Sequence, residues 1–230
     1  MKIVGGRLVR FAFIAFVSFL VSAISAAAQC GSDCGTPDGP ECPLDPPSPI
    51  IIDVGGRGFS LTNAQDGVLF DIVGNGKPIR ISWTAAGALN AFLALDRNHN
   101  GIIDTGKELF GNFTPQPQSP EANGFLALAE FDKVENGGNG DGVIDEKDAI
   151  FASLRLWIDL NHDGKSQPGE LFTLPQLGVY SLSLQYKESR RTDEFGNEFR
   201  FRSRINLAES QADASKAERI AYDVFFMITQ

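Results

Sequence analysis

The sequence predicts an α+β fold, one compact domain over residues 50–230, and three observations carry that reading. Short β-prone runs stand at both ends of this region, and in its last third apolar and polar residues alternate. Apolar runs in the middle, Gly124–Asp132 and Asp148–Leu154, suit short helices. The connections between them are rich in Asp, Asn and Gly, residues that turn the chain tightly and carry oxygen.

Residues 1–28 place Lys2, Arg7 and Arg10 ahead of an apolar run from Phe11 to Ala28 that ends Ala26-Ala27-Ala28, the layout of a secretory signal peptide. Its removal takes three basic residues and no acid, so the formal charge moves from −9 to −12. A chain so acidic repels nucleic acid and anionic membranes and attracts cations, and no membrane span is expected once the leader is gone. Residues 29–49 read as a Cys- and Pro-rich linker, with Cys30, Cys34 and Cys42 and six of the twelve prolines. Export favours one disulfide and one leftover thiol, with the pairing open.

From Ile50 to Thr84, runs such as Val68-Leu69-Phe70 and Ile79-Arg80-Ile81-Ser82-Trp83 read as strands split by turns. Asp71-Ile72-Val73-Gly74-Asn75-Gly76 has the outline of a worn calcium loop with valine at position 3, but reads as a hairpin turn on its Asn-Gly pair. The Phe92–Leu95 run is too short for a long helix. Leu156-Trp157-Ile158 reads as a strand, and Leu171–Leu177 as a compact turn or short helix ending at Gly178. Two one-sided strands, Leu182–Tyr186 and Phe199–Leu207, are joined across Asp193–Asn197. Arg200, Arg202 and Arg204 form a basic row on the second of them, with Arg190 and Arg191 near the turn; it reads as a solvated face balancing the acidic loops, the alternative being a grip for an acidic polymer or a carboxylated glycan. Ser210–Glu218 is expected to be mobile or a short helix, and Ala221–Ile228 a last strand.

The sharpest local pattern is Asp159–Glu170, which fits D-x-[DN]-x-[DN]-G-x5-E without a gap. A hard cation such as Ca²⁺ takes six to eight oxygens, so a short chain must curl tightly to supply them. Asp159, Asn161 and Asp163 stand at positions 1, 3 and 5; Lys165 offers its backbone carbonyl, Gln167 a ligand or bridging water, and Glu170 two closing oxygens. An upstream stretch repeats the pattern with Asp96, Asn98, Asn100, Ile102 (through its carbonyl) and Asp104, but Lys107 occupies position 12. One extra residue places Glu108 in the Glu-Leu-Phe landmark shared with Glu170, so a bulge that brings Glu108 to the ion is expected. A third stretch offers Asn139, Asp141, Val143 (carbonyl), Asp145 and Asp148, with Gly137 at position 1 and Asp132 expected to loop back as first ligand across an insertion.

Phe92-Leu93-Ala94-Leu95-Asp96, Glu108-Leu109-Phe110-Gly111 and Leu156-Trp157-Ile158-Asp159 resemble the EF-hand-like calcium segments of large secreted bacterial RTX-type toxins and adhesins. Lys187–Asp193 and Ala221–Phe225 are similar to stretches of small exported bacterial proteins that carry the same loops. The resemblance spans roughly Phe59 to Phe226 and implies calcium at the loop positions just named. Ser166 departs from it, standing where such a loop packs an aliphatic residue.

Nothing in the sequence sets up a nucleophile beside a base, and the two histidines, His99 and His162, both stand at position 4 of their loops. The expectation is a secreted, non-enzymatic calcium-binding protein in which the ion stabilises a structural or adhesive module, with a cell-surface glycan or protein as partner. The alternative is a calcium-stabilised extracellular hydrolase acting on polysaccharide or protein.

Overall fold

The structure, a computed structural model, describes residues 45–206 and 219–229. The expected leader, all three cysteines and the Ser210–Glu218 stretch lie outside the described residues. In chain order the strands are β1 (Ile50–Asp53), β2 (Val68–Phe70), β3 (Ile79–Ile81), β4 (Asn90–Ala94), β5 (Val143–Ile144), β6 (Arg155–Trp157), β7 (Leu171–Phe172), β8 (Leu182–Ser183), β9 (Lys187–Thr192), β10 (Glu198–Ile205) and β11 (Arg219–Phe225). One helix, α1 (Gly124–Ala129), lies between β4 and β5.

Nine strands form a curled antiparallel sheet in the order β5-β8-β10-β11-β1-β4-β6-β7, with β9 also paired to β10, while β2 and β3 make a separate hairpin. This overturns the α+β expectation, because the fold is mostly β. Among the described residues α1 is the one α-helix, six residues long, and the helix expected over Asp148–Leu154 is a 3-10 turn at Phe151–Ser153. The middle of the chain was expected to pack helices against strands from its two ends. Instead β4, β6 and β7 continue the sheet outward from β1.

The physical reason lies in burial. Ile50, Ile52, Leu93, Leu156, Phe201 and Phe225 face one core, shared with Phe125 and Leu128 of α1. Ile51, Phe92, Trp157, Phe199 and Val224 face a second core with Phe70, Trp83 and Phe226. A strand buried on both sides reads as an unbroken apolar run and loses the alternation that marks a one-sided strand. Phe199 and Phe201, two residues apart, should share a face. They do not, because β10 slips register against β11 between them, and such a bulge redirects the side chains that follow.

The packed chain extends back to Pro47. Phe226 donates its N–H to the Pro47 carbonyl (2.8 Å) and Val224 to that of Pro49 (3.0 Å), so these prolines extend β1 along β11 using only their acceptors. Helix α1 begins with Asn123 accepting from the Phe125 and Leu126 N–H groups. Gly124 must be glycine: a Cβ there would lie 2.4 Å from the Phe110 carbonyl oxygen and 2.6 Å from Ile50 Cγ1.

Candidate functional site

Two of the three oxygen-rich loops are hairpin connections. β4 runs into the first loop and the chain returns as Leu109, bridged antiparallel to Ala94, with Leu95 donating to the Glu108 carbonyl (2.8 Å). β6 runs into the third loop and returns as β7, with Ile158 donating to the Glu170 carbonyl (3.0 Å). The second loop is approached by α1 instead; β5 lies within it, and the chain leaves past Asp148 into the 3-10 turn at Phe151–Ser153.

Inside the loops the same backbone recurs. His99 and His162 are left-handed at position 4 (φ 59° and 60°), and Gly101 and Gly164 at position 6 (φ 84° and 69°). In the second loop Gly140 (φ 73°) and Gly142 (φ 82°) stand at the same two positions. The recurring histidine is thus one of the few side chains tolerated in that conformation. His162 has a further job, since its Nδ1 and Nε2 lie 2.6 and 2.7 Å from the carbonyls of Thr84 and Asp66.

The acids close each loop in matching ways. Asp159 accepts from the N–H groups of Asp163 (3.2 Å) and Gly164 (2.9 Å); Asp96 accepts from those of Asn100 (3.1 Å) and Gly101 (2.9 Å). Glu170 receives Leu160 and Gln167, at positions 2 and 9, over 3.0 and 3.2 Å. Glu108 receives Arg97 and Asp104, again positions 2 and 9, over 3.2 and 2.9 Å. The extra residue is therefore absorbed and Glu108 stands where Glu170 stands, while Lys107 lies outside, its aliphatic stem against Gly74. Asp132 takes the first acid's part in the second loop, accepting from Gly140 (3.0 Å) and Gly142 (2.9 Å), and Asp148 accepts from Asn139 (3.3 Å) and Asp145 (2.8 Å). The insertion curls away through a 3-10 turn at Val134–Asn136.

Of the remaining expected positions, Asn161 and Gln167 both reach the Asp163 carboxylate (3.0 and 2.9 Å), Asn100 reaches Asp104 (3.0 Å) and Asn139 reaches Asp141 (2.8 Å). Asn98 accepts from the Asn100 N–H (2.9 Å). Ile102 and Lys165 turn their side chains to solvent, and Val143 pairs with Ser183 in the sheet. Among the described residues no three His, Cys, Asp or Glu side chains converge as a metal-holding group. The convergence of each loop instead runs through amides and backbone N–H groups.

Burial sets the electrostatics. Asp132, Asp148, Asp159, Glu108 and Glu170 are all buried, whereas the middle positions face water. Burial pushes the Glu108 carboxyl above its ordinary range, opposed by the Asp104 and Arg97 N–H groups and reinforced by the Asp104 charge. Burial raises Asp148 likewise, and the charges of Asp132 and Asp145 add to it.

Several contacts had no signal in the sequence. Trp83 Nε1 donates to Asp159 (2.8 Å), and Trp157 Nε1 lies 3.4 Å from Glu170, so the two indoles of the second core hold the first and last acids of the third loop. Ser166 is buried and joins loops: its Oγ accepts the Ile103 N–H at 2.6 Å, so position 8 of the third loop meets position 8 of the first. Arg97 lies between the rings of Phe110 and Phe131, 5.5 Å from each, tying the exit of the first loop to the approach of the second. The Asp71 hairpin carries the same closure, with Asp71 accepting from Gly74, Asn75 and Gly76 (2.9, 3.1 and 2.7 Å). Its Asp-x-x-Gly-Asn-Gly spacing was the available hint, but no further acid follows at the ligand positions.

The chain is 41% identical over 152 residues to the iron-regulated protein FrpA of Neisseria meningitidis serogroup C, an alignment that takes in 65% of this chain and 13% of that relative. Residues 50–225 match the SPM domain, from the first residue of β1 to the last of β11. The sheet and the three loops it carries are thus the matched unit, and the chain belongs to the SPM domain family.

Proposed function

We propose that this chain is a secreted calcium-binding module in which Ca²⁺ at the three loops stabilises a structural or adhesive domain. The observation that carries the reading is the common closure of the loops: a first acid on the N–H groups of the turn, buried in the second and third loops and half-buried in the first, and a buried last acid on the N–H of position 9. The residues suit the ion. Each loop offers hard oxygen donors of mixed kind, carboxylate, amide and backbone carbonyl, in a tight turn, which is the donor chemistry calcium takes. Asp159, Asn161, Asp163, Lys165, Gln167 and Glu170 would hold it in the third loop; Asp96, Asn98, Asn100, Ile102, Asp104 and Glu108 in the first; Asp132, Asn139, Asp141, Val143, Asp145 and Asp148 in the second. A bound cation supplies positive charge where three or four carboxylates otherwise repel one another, so it favours the folded state. The resemblance to calcium segments of RTX-type proteins and the leader layout of residues 1–28 support export.

The test is calorimetric titration of calcium into chelator-stripped protein, beside an Asp159→Ala, Glu170→Ala variant. Two or three ions are expected, with affinities on the order of 10⁻⁴–10⁻³ M or tighter, and one fewer in the variant. No heat at millimolar calcium in the unaltered protein would overturn the reading.

A further inference from the structure

Ser166 and Ile103 stand at the same place, position 8, of the third and first loops, and the bond between them is short and buried. Ser166 Oγ accepts the Ile103 N–H at 2.6 Å, with the serine 8% and the isoleucine 1% exposed. What that bond fixes follows from the peptide unit, which is planar and trans, so that its N–H and C=O point opposite ways. The N–H of Ile103 shares its plane with the carbonyl of Ile102, the backbone oxygen assigned to calcium in the first loop. The Ile103 side chain is held in the second core, so core and hydroxyl together set the direction of that carbonyl. In the third loop the corresponding oxygen is the Lys165 carbonyl, whose peptide unit leads directly into Ser166. Each partner is thus joined to a carbonyl assigned to calcium through a single rigid peptide unit.

The two loops are unequally supported. Gly164 is buried, and a Cβ there would meet Val68 at 3.0 Å, so the third loop rests on β2. A Cβ on Gly101 would meet nothing within 4 Å, and residues 98–102 are all exposed. Segments with few buried contacts open most readily, so the first loop gains more from an anchor. An ion in the third loop holds Lys165 and with it Ser166, and the fixed hydroxyl holds the Ile102–Ile103 peptide ready for a second ion. Charge acts the other way. Each loop carries three carboxylates, Asp96, Asp104 and Glu108 or Asp159, Asp163 and Glu170, so filling one lessens the pull on the next cation. That pull crosses exposed loop faces and is screened within about 8 Å at physiological salt, whereas the buried bond is not. We propose that Ser166 couples the two sites, calcium in the third loop raising the affinity of the first and the reverse. The proposal rests on the calcium reading of these loops and adds to it an order of filling, third and then first.

The probe is calcium itself, titrated by calorimetry into the stripped full chain at about 0.15 M salt. Asn98→Ala with Asn100→Ala, and Asn161→Ala with Gln167→Ala, each weaken one loop without altering its charge, and so assign the heats to their loops. Ser166→Ala lies in the third loop, yet its effect is expected on the first. The first-loop step weakens at least about fivefold, while the third-loop step, which fills first, moves less than about twofold. Ser166→Thr keeps the hydroxyl and should keep the unaltered affinities. The Asn161→Ala, Gln167→Ala pair should lower the first-loop affinity by a similar factor with Ser166 in place, which tests the coupling should Ser166→Ala fail to fold. Adding Ser166→Ala to that pair should cost the first loop little more. Unchanged first-loop affinity in Ser166→Ala or in the amide pair, a loss shared equally by both loops, or a loss retained in Ser166→Thr would each overturn the proposal. Absence of any calcium heat would instead overturn the reading of the loops on which it rests, so the two failures are distinguishable.

Discussion

Asp223 sits in β11 with no exposed surface, between Tyr222 and Val224, which face the second core. Its side chain points the other way, where Oδ2 accepts the Gly124 N–H at 2.7 Å. Burial pushes this carboxyl from 3.8 up to about 7, against the Gly124 N–H, the Ser48 hydroxyl and the Arg200 charge, which all pull it down. The folded value lies above the unfolded one, so the fold holds this proton more tightly than the open chain does. Its contribution to stability therefore falls as pH rises from about 4 to about 7, and above that the whole cost of a buried charge is present. Asp223→Asn removes the charge and keeps an acceptor for Gly124. Its melting temperature should exceed that of the unaltered protein at pH 8, with the gap narrowing towards pH 4. Parallel thermal melts across that range check this, and a gap that does not change with pH would count against it.

At the scale of elements, Ser166 and Ile103 join the loops that follow β4 and β6. Those strands are antiparallel, so their loops leave at opposite ends and meet over the face of the second core, where Ile103 is buried. Ser166→Ala leaves the Ile103 N–H buried without an acceptor and should cost about 1–3 kcal/mol. Urea denaturation of the calcium-loaded protein measures it, and a neutral change would mean that the loops stand independently. The closed turns were legible because their pattern is local: first acid, turn glycine and last acid fall within about a dozen residues. Asp132 was harder, since the count back from Gly142 reaches Gly137, which has no side chain to offer, and only reading the stretch from Lys133 as an insertion pointed to Asp132. Ser166 looked like a defect because its acceptor role depends on a residue 63 positions away. The α+β error has the same root. Two-sided burial erased the alternation of β1 and β4, and the polar edge strand β9, mostly exposed, carries no apolar face to read.

For the molecule as a whole, the consequence is that the third loop and the second core are one mechanical unit. Trp83 and Trp157 are both fully buried, their rings 5.5 Å apart and packed on Phe70 and Phe92, while their N–H groups point to Asp159 and Glu170. A cation drawn to these acids changes the field at both indoles, and these are the two tryptophans of the chain. Adding calcium to stripped protein should therefore shift tryptophan emission, saturating with the affinity of the third loop alone. On the proposed calcium reading, loss of the ion would leave Asp159, with no exposed surface, without its counter-ion beneath the same rings. That strain reaches the centre of the sheet through Phe92 of β4 and Trp157 of β6, so unfolding should stay one cooperative step. Mass action sets the size of the effect: at a hundredfold excess over the dissociation constant one site adds about 2.7 kcal/mol. For a domain of this size that raises the melting temperature by roughly 5–10 °C. Fluorescence-monitored titration and melting, with Asp159→Ala as the comparison, test both halves. An emission change that survives in Asp159→Ala, or a melting temperature indifferent to calcium, would show that the loop and the core are not coupled.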